Sequence, residues 1–275
     1  MSERADQPPP EVTRRALRHR RRPRLRVVGV LGELLITAGV LVFAFLGWQL
    51  WWNDMVVAGQ QSKAAAEISQ TWIDDDLSSR DQAAAGPEET EAGEAAPADF
   101  GEPVVGEAPS TAQSFAVLYV PRFGADYHRS VAEGIGNDVL NSSRSGIGHY
   151  PDTQMPGEVG NFAVAAHRSA NGGAMHLINE LQLGDAIYVQ TADGYYTYRF
   201  RDLEYVAPTE VDVIAPVPHN PEVAPAERFI TLTSCNPLLS TAERIIAYGV
   251  LEAWQPTSAG PPAEVATIVN NQAQG

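Results

Sequence analysis

The longest hydrophobic stretch of the chain lies near its N-terminus. Residues 27–52 form a nearly continuous apolar run that is interrupted by the carboxylate of Glu33. A helix of this length is long enough to cross the hydrocarbon core of a bilayer with some tilt. The pattern therefore predicts a transmembrane helix. A cleaved signal peptide, processed near Ala64-Ala65-Ala66, is the alternative, although signal sequences have shorter apolar regions.

A second pattern, between about residues 114 and 254, is typical of β-strands. In residues 195–205 aromatic and polar side chains alternate, and the preceding Ala192-Asp193-Gly194 is a hairpin signal. Many short strands with sparse helices predict a mainly β fold, either a barrel or a sandwich. The other short apolar runs cover residues 115–120, 161–167, 186–191, 228–235 and 244–253, and short helical signals lie near 136–141 and 175–181.

The segments on either side of this region are poor in large apolar residues. Residues 53–112 are rich in Ala, Glu, Asp, Pro and Gly. They predict an extended, disordered acidic linker with a short helix near 64–72, and residues 257–275 have the same disordered character. The predicted organisation is a basic tail (1–26), a transmembrane helix (27–52), a linker (53–112), a folded domain (113–256) and a disordered tail (257–275).

Charge is distributed unevenly along the chain. Nine arginines and three acidic residues precede Val27, whereas ten basic and 30 acidic residues follow Trp52. By the positive-inside rule, the N-terminus is cytoplasmic and the folded domain is extracellular. The sequence therefore predicts a single-pass cell-membrane protein. An acidic domain repels phosphate backbones, so we expect no nucleic-acid partner.

Cys235, the only cysteine of the chain, ends the predicted strand 228–235 and shares its mildly polar face with Thr231 and Thr233. Without other signals, a free cysteine is more often a buried structural thiol than a reactive one. Arg244 opens the next predicted strand after eight intervening residues. If the two strands pair antiparallel, Arg244 lies beside Cys235, where a guanidinium favours the thiolate and can bind an oxyanion.

His167 similarly ends a predicted strand, just before a glycine-rich loop. Catalytic groups are concentrated at such positions on a rigid scaffold. Cysteine with histidine is a recurrent pairing of nucleophile and acid/base group. A hydrogen-bonded structural role is the alternative for a lone histidine. His149, in Gly146-Ile147-Gly148-His149-Tyr150-Pro151, is a second candidate.

Taken together, these motifs resemble the sortase family. Thr231-Leu232-Thr233-Ser234-Cys235, followed nine residues later by Arg244, is similar to the sortase signature Thr-Leu-x-Thr-Cys with its downstream arginine. The segment from Pro156 into Ala166-His167-Arg168 resembles the one that carries the sortase histidine. The resemblance covers about residues 115–254. The short Cys–Arg spacing and the Cys-x-Pro sequence are most like class E sortases of actinobacteria, with Ser234 replacing threonine and Asn236 replacing histidine.

The resemblance implies an eight-stranded sortase β-barrel with short helices. It also implies a cysteine transpeptidase with Cys235 as nucleophile, His167 as acid/base group and Arg244 as electrostatic stabiliser. The implied substrates are secreted proteins with a C-terminal motif of the LPxTG or LAxTG type, cleaved between Thr and Gly. The acyl group would pass to an amine of a cell-wall precursor or a protein. We expect the substrate site to include Thr233, Ser234 and His149.

Two other functions are compatible with the same residues. A membrane-tethered thiol hydrolase would transfer the acyl group to water, and a non-catalytic extracellular domain would only bind a partner. The acidic residues are scattered and form no recognisable metal motif, so we expect neither a metal nor another cofactor.

Overall fold

The computed structural model describes residues 27–48, 52–83 and 100–272. The predicted basic tail, residues 1–26, and residues 84–99 of the predicted linker lie outside the described part. The chain divides into an N-terminal unit, Met1–Leu46, and a second unit, Gly47–Gly275.

The predicted apolar helix is present as α1, Val27–Gly47. Among the described residues, α1 is the single helix that is long and apolar enough to cross a membrane. None of its residues is buried. Its length and composition confirm the helical prediction for residues 27–47. They are the properties that a membrane-spanning helix requires.

The second unit contains three further helices and, in the described residues, eight strands. The helices are α2 (Asn53–Ala83), α3 (Asn137–Leu140) and α4 (Ala263–Gln272). The strands are β1 (Ser114–Tyr119), β2 (His128–Glu133), β3 (Ile147–His149), β4 (Gly160–Ala166), β5 (Ala186–Gln190), β6 (Gly194–Val206), β7 (Arg228–Asn236) and β8 (Glu243–Pro256).

The strands close into a barrel with the order β1-β2-β3-β4-β7-β8-β6-β5. The β2–β3 and β4–β7 pairs are parallel, and the other pairs are antiparallel. The barrel confirms the implied fold. The hairpin predicted around Ala192-Asp193-Gly194 is also confirmed, since it joins β5 to β6.

The barrel interior is filled by alternate residues of the strands. In β6, Tyr196, Tyr198 and Phe200 point into the main core, and Ile230 and Leu232 do the same in β7. Side chains of a strand point alternately to its two faces, so a register fixed by this core also fixes which residues point outwards.

Strands β2 and β3 were missed in the sequence because their residues do not alternate between apolar and polar. β2 contains Arg129 and Glu133, which are both buried, and β3 is only three residues long. Their polar side chains bind partners from other elements. The Arg129 guanidinium donates to Ser62 of α2, and the Glu133 carboxylate contacts the His149 ring at 2.6 Å.

The prediction of an extended tether is wrong for residues 53–83, which form the long helix α2. The short helix expected near 64–72 lies within it. Ala65 is fully buried against the outer face of the barrel, where Val117 and Tyr119 of β1 also lie, and Ile68 and Trp72 pack at the edge. The alanine-rich face of α2 is buried only because the barrel offers a complementary surface. The amino-acid composition of the segment does not reveal that surface.

Polar side chains also attach α2 to the barrel. The Ser69 hydroxyl donates to Gln190 Oε1 at 2.7 Å, and the Tyr119 hydroxyl donates to the same oxygen at 2.7 Å. All three side chains are buried. Because buried polar groups are stable only when paired, this network requires α2 in one position on the barrel.

The predicted disordered tail is also wrong for residues 263–272, which form α4. Val265, Ile268 and Val269 are buried beside α2, and Gln70 of α2 donates to the Val269 carbonyl at 3.0 Å. Part of the predicted linker contacts the barrel as well. The Trp254 indole donates to the Gly101 carbonyl at 2.9 Å.

We predict that α2 contributes directly to the stability of the barrel. A fragment of residues 84–272 should have a free energy of unfolding at least about 3 kcal/mol below that of residues 52–272, because Val117 and Tyr119 lose their cover. Urea denaturation of both fragments measures the difference. In the longer fragment, Leu77→Ala is a suitable control, since Leu77 is half-exposed and should matter little. Equal stability of the two fragments would contradict the assignment of α2 to the domain.

Candidate active site

The pairing of β7 with β8 places Cys235 beside Arg244. The two residues are direct register partners in this antiparallel pair, with Ser234 opposite Ile245 and Asn236 opposite Glu243. The juxtaposition predicted from the sequence is confirmed. Cys235 is a free, partly exposed thiol.

The pairing of β7 with β4 places His167 at the same rim of the barrel. These strands are parallel, with Ala165 opposite Thr233, and the Ser234 hydroxyl donates to the Ala166 carbonyl at 2.7 Å. His167 follows Ala165 by two residues, as Cys235 follows Thr233. The three predicted catalytic residues therefore lie on three adjacent strands, at the point where each strand begins or ends.

His167 is held through one ring nitrogen. Its Nε2 lies 2.8 Å from Asn141 Oδ1, an oxygen that also accepts a bond from Asn171 Nδ2 at 2.9 Å. An amide oxygen can only accept, so Nε2 carries the proton and Nδ1 is left as the acceptor in the neutral ring. The residues after α3 and after β4 thus determine the tautomer of His167.

The surroundings of His167 lower its pKa. Partial burial disfavours the imidazolium, and the negative charge of Asp54 on α2 opposes this effect without cancelling it. The ring is therefore mainly neutral at pH 7, because its ordinary pKa is already near 6.5.

Arg244 is half-buried, and its Nη1 donates to the carbonyls of Thr241 at 3.1 Å and Glu243 at 3.0 Å. These bonds hold the guanidinium against the β7–β8 connection. A planar guanidinium fixed in this way is a preorganised donor for a negatively charged oxygen.

A small pocket of about 70 Å³ adjoins Arg244. One wall is formed by Arg244, Thr233 and Tyr150, and the Tyr150 hydroxyl lies 3.0 Å from Thr233 Oγ1. The other wall is the β6–β7 connection, which contributes Pro208, Glu210, Val211, Val213 and Ile214. The pocket thus has a mostly apolar wall and a polar rim.

The β6–β7 connection is attached to the barrel by an ionic cluster. His219 contacts Glu204 of β6 through Nε2 and Asp212 through Nδ1 at 3.4 Å, and the Tyr248 hydroxyl of β8 donates to the same Glu204 oxygen. The Glu204 and Asp212 carboxylates raise the pKa of His219. This cluster positions the pocket wall although none of its residues lines the pocket.

The three residues expected at the substrate site lie in different places in the structure. Thr233 shares the outward face with Cys235 and lines the pocket. Ser234 points to the opposite face and is buried at 3% exposure. His149 is 1% exposed, contacts Glu133 and Thr153, and stacks on Phe162 at a ring distance of 5.2 Å. Neither Ser234 nor His149 is brought to the face that carries Cys235.

Sequence reasoning missed Asn141 and Tyr150. Asn141 directly follows the short helix α3 and is 26 residues from His167, and Tyr150 is 83 residues from Thr233. Neither lies in a motif with recognisable spacing. Among the described residues, no group of three or more His, Cys, Asp or Glu side chains is arranged to hold a metal ion.

Comparison with known proteins gives consistent matches. The sortase domain family matches residues 118–252. Sortase SrtE2 of Streptomyces coelicolor is 30% identical over 243 residues, which are 85% of this chain and 87% of the relative. Sortase SrtE1 of the same organism is 32% identical over 250 residues, 88% of this chain but 62% of the relative, so the chain spans less than two thirds of that protein.

Solved structures agree with the sequence relatives. The SrtA sortase from Actinomyces oris is 36% identical with a TM-score of 0.57, covering 61% of this chain and 95% of that one. Sortase E from Streptomyces avermitilis is 34% identical with a TM-score of 0.52, covering 57% of this chain and 99% of that one. The barrel, the rim that carries Cys235 and these relatives lead to one conclusion: the chain belongs to the sortase family, whose members are cysteine transpeptidases.

Proposed function

We propose that this protein is a membrane-anchored sortase that cleaves an LPxTG- or LAxTG-type motif between Thr and Gly and joins the new acyl group to an amine. The observation that carries the proposal is the alignment of Cys235, His167 and Arg244 at one rim of the barrel. A nucleophile, an acid/base group and an oxyanion donor are the three parts that acyl transfer requires.

In the first step, the Cys235 thiolate attacks the carbonyl carbon of the threonine residue. The carbonyl oxygen becomes an oxyanion, which the Arg244 guanidinium stabilises. The C–N bond to glycine then breaks, and the His167 imidazolium gives its proton to the departing amine. The product is a thioester between the threonine carbonyl and the Cys235 sulfur, together with the released C-terminal peptide.

In the second step, the acceptor amine attacks the thioester carbonyl. His167, now neutral, takes the proton of the amine as the new C–N bond forms and the thiolate leaves. The free Nδ1 of the ring is the acceptor atom for this proton, because Nε2 is occupied by Asn141. Atoms and charges are restored, and Cys235 and His167 return to their starting states.

The low pKa of His167 has a consequence for the active form of the enzyme. The first step needs a thiolate and an imidazolium together, and burial makes the imidazolium a minority species at pH 7. The negative charge of Asp54 increases this minority, so α2 supports the active protonation state.

The pocket beside Arg244 is our proposed site for the sorting motif. Its apolar wall of Val211, Val213 and Ile214 suits the leucine side chain. Thr233 also lines this pocket and precedes Cys235 by two residues on the same face of β7. In this proposal the scissile carbonyl binds between the Cys235 thiol and the Arg244 guanidinium, which are neighbours across the β7–β8 pair.

The localisation is part of the same proposal. α1 would anchor the protein, with the arginine-rich residues before Val27 on the cytoplasmic side and the barrel outside. Secreted substrates and cell-wall precursors are held at the same surface, where tethering raises their effective concentration.

We predict that all three rim residues are required for transpeptidation. With the full chain in detergent, motif peptides and a glycine-based amine, Cys235→Ala should abolish both cleavage and the acyl adduct seen by mass spectrometry. Arg244→Ala should lower kcat/KM about 10²–10³-fold, because an oxyanion donor is lost. His167→Ala should lower it by a comparable or larger factor. The exposed Arg201 of β6 offers a matched control in Arg201→Ala.

The outcomes of this experiment separate the possible functions. Amine-dependent product supports transpeptidation and shows whether Pro or Ala is preferred in the motif. Cleavage to the acid alone, at any amine concentration, would instead indicate a thiol hydrolase. A folded protein that forms no adduct with either peptide would indicate a binding domain.

We predict that the pKa of His167 lies below 6.5 and falls further in Asp54→Asn, because the negative charge that favours the imidazolium is removed. NMR titration of ¹³C-labelled histidine in the Cys235→Ala background measures both values. Asp74→Asn, an exposed position of the same helix, should leave the His167 titration unchanged. A pKa that rises in Asp54→Asn would show that Asp54 acts in another way.

A further inference from the structure

Helix α2 reaches the loops around His167 through two side chains. The Gly172 amide donates to Asp54 Oδ1 at 3.5 Å, and the shorter contacts are made by Gln61. This residue is fully buried although it is polar. Its Nε2 donates to the Ser142 carbonyl at 2.8 Å and to the Asn171 carbonyl at 2.9 Å. The two carbonyls belong to different loops, one after α3 and one after β4, so a single amide group joins them.

The same two loops hold the His167 ring. Asn141 precedes Ser142 and accepts the bond from His167 Nε2, and Asn171 donates its side-chain amide to the same Asn141 oxygen. The path from Gln61 to His167 thus runs over hydrogen bonds of 2.8–2.9 Å and one peptide link.

The backbone around Gln61 is shaped for this contact. A Cβ added at Gly146 would lie 2.3 Å from Gln61 Nε2, and one added at Gly172 would lie 2.6 Å from Gln61 Oε1. Both glycines have a positive φ, 79° and 87°, which other residues rarely adopt. Glycine at these two positions lets both loops approach the amide closely.

We propose that Gln61 is a positioning residue for His167, and that α2 is therefore a structural part of the active site. The inference rests on the proposed acid/base role of His167. Gln61 fixes the two loops relative to each other, the loops fix Asn141, and Asn141 fixes the orientation and tautomer of the ring. Without Gln61, two partly buried carbonyls lose this donor, and the loops relax around them.

The test compares two glutamines of the same helix in the full chain. Gln61→Met keeps the length and most of the volume of the side chain but removes both hydrogen bonds. Gln70→Met is the matched control, because Gln70 also donates its side-chain amide to a carbonyl, that of Val269 in α4. A purely structural effect of losing such a bond would appear in both variants.

For Gln61→Met we expect kcat for peptide cleavage to fall between about tenfold and a hundredfold, with a smaller change in KM, because a misplaced acid/base group slows the chemistry rather than binding. The ¹⁵N signals of the His167 ring should move from the Nε2–H tautomer towards a mixture of tautomers. In Gln70→Met, both kcat and the ring signals should stay as in the wild type.

A second variant tests the inference should Gln61→Met fail to fold. Asn171→Gly removes the side-chain donor to Asn141 but retains the left-handed backbone at this position, where φ is 49°. It leaves the Gln61 side chain untouched. We expect the same change in the His167 ring signals and a smaller loss of kcat.

The NMR readout decides the inference even if no peptide is cleaved. A wild-type chain that forms no product while its His167 ring is held as Nε2–H would overturn the proposed function and leave the positioning role intact. The positioning role alone would be overturned by a different result. In that result the wild type is active, and Gln61→Met and Gln70→Met have the same kcat and the same His167 ring signals.

Discussion

The active site depends on the hydrogen-bonded pairing of β7 with β4 on one side and β8 on the other. A shift of one residue in either register would turn Cys235 towards the barrel interior relative to its neighbours. The register is fixed by the core, where Ile230 and Leu232 of β7 are fully buried. Parallel pairing brings the C-terminal end of β4 beside that of β7, and antiparallel pairing brings the start of β8 there. Cys235, Arg244 and the sequence-distant His167 thus meet at one rim of the barrel, as the proposed function requires.

Two separate sets of loops surround the rim that carries Cys235. On one side, the β6–β7 connection forms the pocket beside Arg244 and is held by the ionic cluster of His219, Glu204 and Asp212. On the other side, the loops after α3 and β4 hold the His167 ring through Asn141. The proposed substrate pocket and the proposed acid/base residue therefore have separate supports.

Helix α2 is a packed part of the folded domain, whereas its sequence predicts a linker. It covers the outer face of β1 and β5 with small side chains, contributes paired polar groups to that contact, and extends to the loops of the active site. Its carboxylate at Asp54 also opposes the effect of burial on the pKa of His167. The catalytic unit thus includes the helix from Asn53 as well as the barrel. A fragment that begins at the first strand lacks part of its own support.

The sequence by itself determined the long apolar helix, the β character of the domain and the pairing of Cys235 with Arg244, because periodicity and short loops are local signals. The role of the His167 segment came from its resemblance to a family. Only the tertiary structure decided that α2 is a packed helix, that His149 points inwards, and that Asn141 and Gln61 support the active-site histidine. The hydrogen bonds of Asn141 and Gln61 join residues 26 to 110 positions apart. A polar residue looks the same in the sequence whether water or a distant partner satisfies it, and only the closed fold distinguishes the two.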